Sequence, residues 1–231
     1  MEHIACLLIH GVAGGKYQME RLKKHLNKKG ISAESITIKG HEQGKKVLSD
    51  SKYYEWLADS GKKYTELAKI YDKVIIIGFS MGGLIALNLA KRHKAAAVVL
   101  VNCPVFCVNV PAIIKGVMHD LKEHDFKNIR RYMYIDNIPP KTLREFKKLL
   151  EHTKLMLSEV KTPAFILQCS DDDVVIPKSA EYLYSNIKSA KKTVRYYDNG
   201  GHHILAELDN SKMYDDIADF ALEIAEEFNV L

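Results

Sequence analysis

The residues that could do chemistry centre on one serine. Ser80 lies in the middle of the pattern G-x-S-x-G, with Gly78 two residues before it and Gly82 two residues after it. The β-branched run at 74–77 predicts a strand buried on both faces, and the Ala- and Leu-rich run at 84–92 predicts a helix. A sharp turn between such elements lifts the serine hydroxyl out of the sheet and requires nearly side-chain-free neighbours. A phosphate-binding loop would need a lysine and a Ser or Thr that this stretch lacks, so the pattern indicates a nucleophile.

A nucleophilic serine needs an imidazole as its base and a carboxylate that orients the imidazole. Three consecutive aspartates at 171–173 follow a predicted strand at 163–169, and a later glycine-rich loop ends in His202 and His203. The aspartates could instead bind a cation, but they lack the alternating spacing of a calcium loop. The order Ser, Asp, His along the chain therefore favours a catalytic triad over a metal site.

The loop after the first predicted strand, Ile4–Ile9, is a candidate for binding an oxyanion. It contains three glycines in residues 10–15, and its Val12 N–H is our candidate for one donor. The N–H of Met81, at the positive end of the helix that follows Ser80, is the candidate for the other. His10 could be taken for a base or a metal ligand, but its place beside a glycine at a strand end favours a structural histidine bonded to nearby backbone.

Strands alternate with helices through most of the chain, which predicts a parallel sheet with helices on both faces. Further strands are predicted at 33–38, 95–101 and 193–197, and helices at 17–29, 54–70, 178–187 and 211–228. Residues 43–50 are expected to form a polar loop. The aromatic residues Tyr54, Trp56 and Tyr64 are expected to lie in the core.

The alternation breaks after Asn102, where residues 103–160 form a mainly helical insertion. Three apolar stripes run through it, and Pro139 and Pro140 separate the last stripe from the others. An insertion at the carboxyl end of a strand lies beside the active site in sheets of this kind. We therefore expect a helical cap whose inner face contacts an apolar acyl group, although the same stripes would also serve simple packing or dimerisation.

Composition indicates one globular domain that spans residues 1–231. The chain is 47% hydrophobic and 27% charged, with a net charge of +5 and its lysines scattered over helix faces. We expect neither a nucleic-acid nor a membrane partner, because no basic aromatic patch and no membrane-length apolar run occurs. The first eleven residues fit a strand better than a signal peptide, and the four cysteines fit buried reduced thiols, so a cytoplasmic protein is expected.

Five stretches of the sequence together resemble the small bacterial carboxylesterases and monoacylglycerol lipases of the α/β-hydrolase superfamily. They are residues 7–11, 39–41, 78–83, 168–177 and 201–202. The resemblance implies an α/β-hydrolase fold with a minimal, mainly parallel sheet of about six strands, because the two usual leading strands are absent. It also implies that no metal or organic cofactor is required.

The same resemblance selects the acid and the base. In these proteins the aspartate stands two residues before a pair of aliphatic residues and five before a proline, which fits Asp172 better than Asp173 or Asp171. Their histidine follows a glycine and precedes an aliphatic run, which selects His202 and leaves His203 as a solvent-facing neighbour. The implied site is therefore Ser80, Asp172 and His202.

The function that these residues predict is serine-dependent hydrolysis of carboxylic esters with short to medium acyl chains. A small-molecule ester is the expected partner, and the sequence leaves the oligomeric state open. Monoacylglycerol lipase is the near alternative, and a serine peptidase or an acyltransferase would use the same triad. A non-catalytic ligand receptor on the same fold is the alternative from a different class.

Overall fold

Six strands form the centre of the molecule, and every strand pairing is parallel. The computed structural model describes residues 4–107, 122, 138–198, 200–205 and 211–226. The sheet has the order β2-β1-β3-β4-β5-β6. The strands are β1 (Ile4–Ile9), β2 (Ser32–Ser35), β3 (Lys73–Phe79), β4 (Ala97–Val101), β5 (Ala164–Cys169) and β6 (Lys192–Tyr197). This architecture confirms the α/β-hydrolase fold and the strand number that the sequence predicts.

Helices cover both faces of the sheet, as the alternation of strands and helices requires. They are α1 (Glu20–Lys28), α2 (Lys45–Asp50), α3 (Tyr53–Leu67), α4 (Met81–Arg92), α5 (Pro140–Met156), α6 (Lys178–Asn186) and α7 (Ser211–Glu226). Two short 3₁₀ turns, Lys16–Met19 and Leu157–Glu159, precede α1 and follow α5. None of the helices in the described ranges combines the length and apolar character that a membrane span requires.

The core consists of two layers, one on each side of the sheet. One layer packs α3, α4 and α5 on the sheet, and the other packs α1 and α7 on the opposite face. All residues of β1, β3, β4 and β5 are buried. Such strands, apolar on both faces, are typical of the interior of a parallel sheet and explain the near-continuous apolar runs in the sequence.

Three expectations about the elements are wrong in detail. The predicted polar loop at 43–50 contains the helix α2, because Leu48 is buried and anchors that turn. The second strand ends at Ser35 rather than at residue 38, because the N–H of Ile38 donates to a histidine ring on the loop after β1 instead of continuing the ladder. Tyr54 lies on the outer side of α3 with 60% of its surface exposed, whereas Trp56 is fully buried.

The predicted insertion at 103–160 is described in part. Its last stripe forms α5, which packs against α2, α3 and α4. The expected stripes at 113–121 and 126–132 fall outside the described residues.

Candidate active site

The turn between β3 and α4 holds Ser80 in a conformation that few non-glycine residues adopt. Its φ is 51° and its ψ is −122°. A Cβ at Gly78 would lie 2.2 Å from the carbonyl oxygen of Gly82, and a Cβ at Gly82 would lie 2.1 Å from that of Ile9. Both positions are therefore restricted to glycine, as the G-x-S-x-G pattern predicts. The tight turn directs the serine side chain to the carboxyl edge of the sheet.

Ser80, His202 and Asp172 form one hydrogen-bonded chain at that edge. The Oγ of Ser80 lies 3.1 Å from Nε2 of His202, and Nδ1 of the same ring lies 2.9 Å and 3.1 Å from the two carboxylate oxygens of Asp172. All three side chains are buried. The carboxylate also accepts hydrogen bonds at 2.8 Å from the N–H groups of Val174 and Val175. This arrangement fixes the ring with Nε2 facing the serine, which is the geometry of a general base beside its nucleophile.

The neighbouring candidates lie elsewhere in the same region. Asp171 accepts hydrogen bonds from the N–H groups of Gly200 and Gly201, so it holds the histidine loop rather than the ring. The two oxygens that reach His202 Nδ1 belong to Asp172, whereas Asp173 is buried beside it. His203 is half-buried, and its ring is tilted by 53° against that of Phe79 with the two centroids 6.1 Å apart. The expectation that His203 simply faces solvent is therefore wrong, because it lines the same cavity as the serine.

The two predicted oxyanion donors flank this serine. Met81 is the first residue of α4, so its N–H is one of the donors that a helix leaves without an intrahelical partner. Val12 is half-buried in the loop after β1 and lines the cavity that contains Ser80. Both N–H groups therefore belong to segments that border the space where an oxyanion would form.

His10 fixes the loop that carries Val12. Its Nδ1 donates to the carbonyl of Gly11 at 2.8 Å, and its Nε2 accepts from the N–H of Ile38 at 3.1 Å. Burial, followed by the positive charge that His41 can carry, lowers the pKa of His10 from its usual 6.5 to about 3. The ring is thus neutral at ordinary pH, and the structural role that the sequence predicts for it is confirmed.

Sequence reasoning missed three buried amides at this edge. Gln18 accepts a hydrogen bond from the N–H of Gly11 at 3.0 Å, and Gln168 donates to the carboxylate of Asp172 at 3.4 Å. Asn102 follows β4 directly and is fully buried. A polar residue within or just after an apolar strand is the sequence signal that could have identified Gln168 and Asn102.

An apolar cavity of about 170 Å³ opens beside the serine. Its walls come from the oxyanion loop, from α5 and from the segment that follows the aspartates. The apolar lining residues include Val12, Ile138, Leu143, Phe146, Val174 and Val175. Such a cavity suits a hydrocarbon group bound beside the side chains of Ser80 and His202, which also line it.

The described residues contain no cluster of three or more His, Cys, Asp or Glu side chains that could hold a metal ion. The four cysteines are free thiols, and Cys107 lines the cavity. Burial raises the pKa of the Cys107 thiol to about 11, so this group is a neutral wall of the cavity rather than a second nucleophile.

Comparison with known proteins relates the chain to hydrolases. The model of a hydrolase family, Hydrolase_4, described as serine aminopeptidase, S33, matches residues 2–131 and 107–209. A thermostable monoacylglycerol lipase from Bacillus sp. (strain H-257) is 26% identical over 213 residues, which are 86% of this chain and 82% of that protein. A carboxylesterase from Bacillus subtilis (strain 168) is 22% identical over 224 residues, 94% of this chain and 91% of that protein.

Solved structures share the fold along almost the whole chain. A structure from work on two metagenome-derived lipolytic enzymes, LipS and LipT, superimposes with a TM-score of 0.78 at 21% identity, covering 96% of this chain and 94% of the other. A monoglyceride lipase from Saccharomyces cerevisiae, solved with a substrate analogue, gives a TM-score of 0.74 at 18% identity, covering 96% and 87%. At these identities the superpositions support the fold alone.

Proposed function

Because the chain belongs to the α/β-hydrolase family described as serine aminopeptidase, S33, we propose that it is a serine carboxylesterase acting on esters with short to medium acyl chains. The observation that carries the proposal is the chain of hydrogen bonds from Ser80 through His202 to Asp172 at the end of an apolar cavity. A nucleophile, a base and an orienting carboxylate are the groups that acyl transfer to water requires.

The geometry supports a two-step reaction. Ser80 Oγ bonds to the ester carbonyl carbon as Nε2 of His202 takes its proton, and Asp172 stabilises the charged ring. The N–H groups of Val12 and Met81 hold the oxyanion. Collapse of the tetrahedral intermediate breaks the bond to the alcohol, which leaves with the proton from His202. Water, deprotonated by the same ring, then attacks the acyl-serine and releases the acid.

The cavity supports the choice of substrate. Its volume of about 170 Å³ is below the roughly 300–1,000 Å³ of pockets for drug-sized ligands, which favours a short to medium acyl group. The apolar lining favours a hydrocarbon over a charged peptide side chain. The similarity to a monoacylglycerol lipase makes longer monoacyl esters the second candidate class.

We also propose that residues 103–160 act as the cap of this cavity. On α5, Leu143 and Phe146 line the cavity, while other side chains attach the helix to the body. Thr142 donates to the carbonyl of Leu48 at 3.2 Å, and the hydroxyl of Thr153 accepts from Asn88 at 2.7 Å. A cytoplasmic location is consistent with the four free thiols, because disulfides are rare in reducing compartments.

The test is steady-state hydrolysis of p-nitrophenyl esters from acetate to dodecanoate by the parent protein and by Ser80→Ala. We expect a maximum at short or medium chains and a loss in kcat of about 10³-fold or more in Ser80→Ala. Ser60→Ala is the matched control, since Ser60 is buried in α3 away from the cavity, and it should keep the parent rate.

Other results would point to other functions. A preference for the longest chains would favour a monoacylglycerol lipase, and turnover of aminoacyl p-nitroanilides instead of esters would favour a peptidase. Equal, slow rates from the parent and Ser80→Ala would contradict an enzymatic role and leave the receptor alternative.

A further inference from the structure

We propose that Asn102 is the positioning residue that keeps His202 aligned with Ser80, an inference that rests on the proposed serine hydrolase function. Asn102 follows β4 with a φ of 47°, in the left-handed region that asparagine adopts more readily than most residues. Its own N–H donates to the carbonyl of Leu167 at 2.9 Å. The side chain is therefore presented at the carboxyl edge of the sheet, between β4 and β5.

The amide of Asn102 joins two loops of the site. Its Oδ1 accepts a hydrogen bond from the N–H of Cys169 at 2.8 Å, at the end of the strand that leads to Asp172. Its Nδ2 donates to the carbonyls of Gly201 at 3.1 Å and His202 at 3.0 Å. Only a side chain with both an acceptor and two donor hydrogens satisfies these three groups.

The histidine turn is held from two directions. Asp171 accepts hydrogen bonds from its N–H groups, and Asn102 donates to its carbonyls. Asp171 is exposed, whereas Asn102 is fully buried, so water can replace the first set of bonds but not the second. The position of the His202 backbone, and with it the 3.1 Å separation of Nε2 from Ser80 Oγ, depends on the buried amide.

Asn102 does not reach the reacting atoms, so its loss should change the rate of chemistry and not substrate binding. A shift of about 1 Å in a catalytic group can cost about 10²-fold in rate. We expect Asn102→Gly, which tolerates the positive φ, to lower kcat about 10- to 100-fold. KM should stay within about threefold, because the apolar cavity is untouched.

The experiment measures kcat and KM with the p-nitrophenyl ester that the parent hydrolyses fastest. The concentration of active sites, by which kcat is normalised, is determined by stoichiometric labelling with a fluorophosphonate. Asn102→Asp is the second variant, because it keeps the shape and the acceptor but removes both amide hydrogens, and circular dichroism and urea unfolding of each variant establish that it is folded. The matched control is Asn186→Asp, since the Nδ2 of half-buried Asn186 also donates to a backbone carbonyl, that of Tyr182 at 2.8 Å, on a helix surface that does not line the cavity. The control should keep the parent kcat.

The outcomes separate this inference from the proposed function. A parent that hydrolyses esters, together with both Asn102 variants at low kcat and nearly unchanged KM, would support it. The inference would be overturned if the parent is active and both Asn102 variants keep kcat within about twofold of it. It would also be overturned if kcat of the control variant falls as far as kcat of the Asn102 variants. Failure of the proposed function would instead appear as a parent that neither hydrolyses esters nor reacts with the fluorophosphonate.

Discussion

The buried ring of His10 should make the stability of this protein depend on pH. The ring is fully buried, bonds to two backbone groups of the loops beside Ser80 and has its pKa lowered from 6.5 to about 3. Between these two values the unfolded chain binds a proton at this position and the folded protein does not. The free energy of unfolding is therefore highest above pH 6.5 and falls as the pH is lowered toward 3.

The size of the effect follows from linkage. One group of this kind changes the free energy of unfolding by about 1.4 kcal/mol per pH unit well inside the window. Between about pH 6.5 and 4.5 the His10 contribution falls by about 2.3 kcal/mol. The variant His10→Gln keeps an acceptor for the N–H of Ile38 but carries no titrating group. It should be less stable than the parent at neutral pH by about 1–3 kcal/mol, and the difference should shrink by about 2.3 kcal/mol at the acid end.

Urea unfolding at a series of pH values, followed by the fluorescence of Trp56, measures this difference directly, because Trp56 is the single tryptophan and is fully buried. His41, whose pKa is also lowered by burial, lies with its ring 5.0 Å from the His10 ring and interacts with it, so both proteins are compared in a His41→Gln background. Parallel stability curves for the parent and His10→Gln would refute the reasoning, because they would mean that His10 takes up its proton equally in both states.

Two further variants test packing at the site. Gly82→Ala should lower the free energy of unfolding, measured in urea, by about 3 kcal/mol or more, because its Cβ would lie 2.1 Å from the backbone oxygen of Ile9. Gly30→Ala should lower it by only about 1–2 kcal/mol, because no atom lies within 4 Å of its Cβ and the only penalty is the φ of +81°. Equal losses would contradict the steric explanation. Phe146→Ala should move the ester preference to longer chains by about fourfold in kcat/KM per added methylene, measured with the p-nitrophenyl series. The control is Leu155→Ala on the same helix, because Leu155 is 85% exposed, and it should leave the chain-length preference unchanged. An unchanged preference in Phe146→Ala as well would exclude Phe146 from the acyl site.

The sequence predicts the four central strands of the sheet well because they are buried on both faces. Long apolar runs such as those of β3 and β4 have no solvent-facing residues that would obscure them. The errors occur where a single contact decides the local structure. Leu48 converts a polar stretch into α2, and the ring of His10 ends the β2 ladder by taking the N–H of Ile38. Contacts of that kind join residues far apart in the chain, and no local pattern encodes them.

The residues of the site also divide into those that a sequence motif identifies and those that only the structure identifies. Gly78 and Gly82 flank Ser80 because a Cβ at either place would collide with backbone, and this steric constraint is visible in the sequence as the G-x-S-x-G motif. The side-chain amides of Asn102 and Gln168 belong to no such motif, because a hydrogen bond to a carbonyl or carboxylate elsewhere in the chain imposes no spacing between residues in the sequence. Sequence motifs therefore identify the groups that are proposed to react, and the structure identifies the groups that hold them.

That distinction predicts which substitutions should leave the fold intact and still damage the rate. Removing the proposed nucleophile, Ser80, should remove nearly all chemistry, and a side chain at Gly82 would disturb the backbone itself. The buried amide of Asn102 lies between these cases, because it joins the loop that carries His202 to the end of β5 and does not reach the reacting atoms. Since the triad closes through one 3.1 Å contact to Ser80 Oγ, a small displacement of that loop is enough to separate base from nucleophile while the six-stranded sheet remains unchanged.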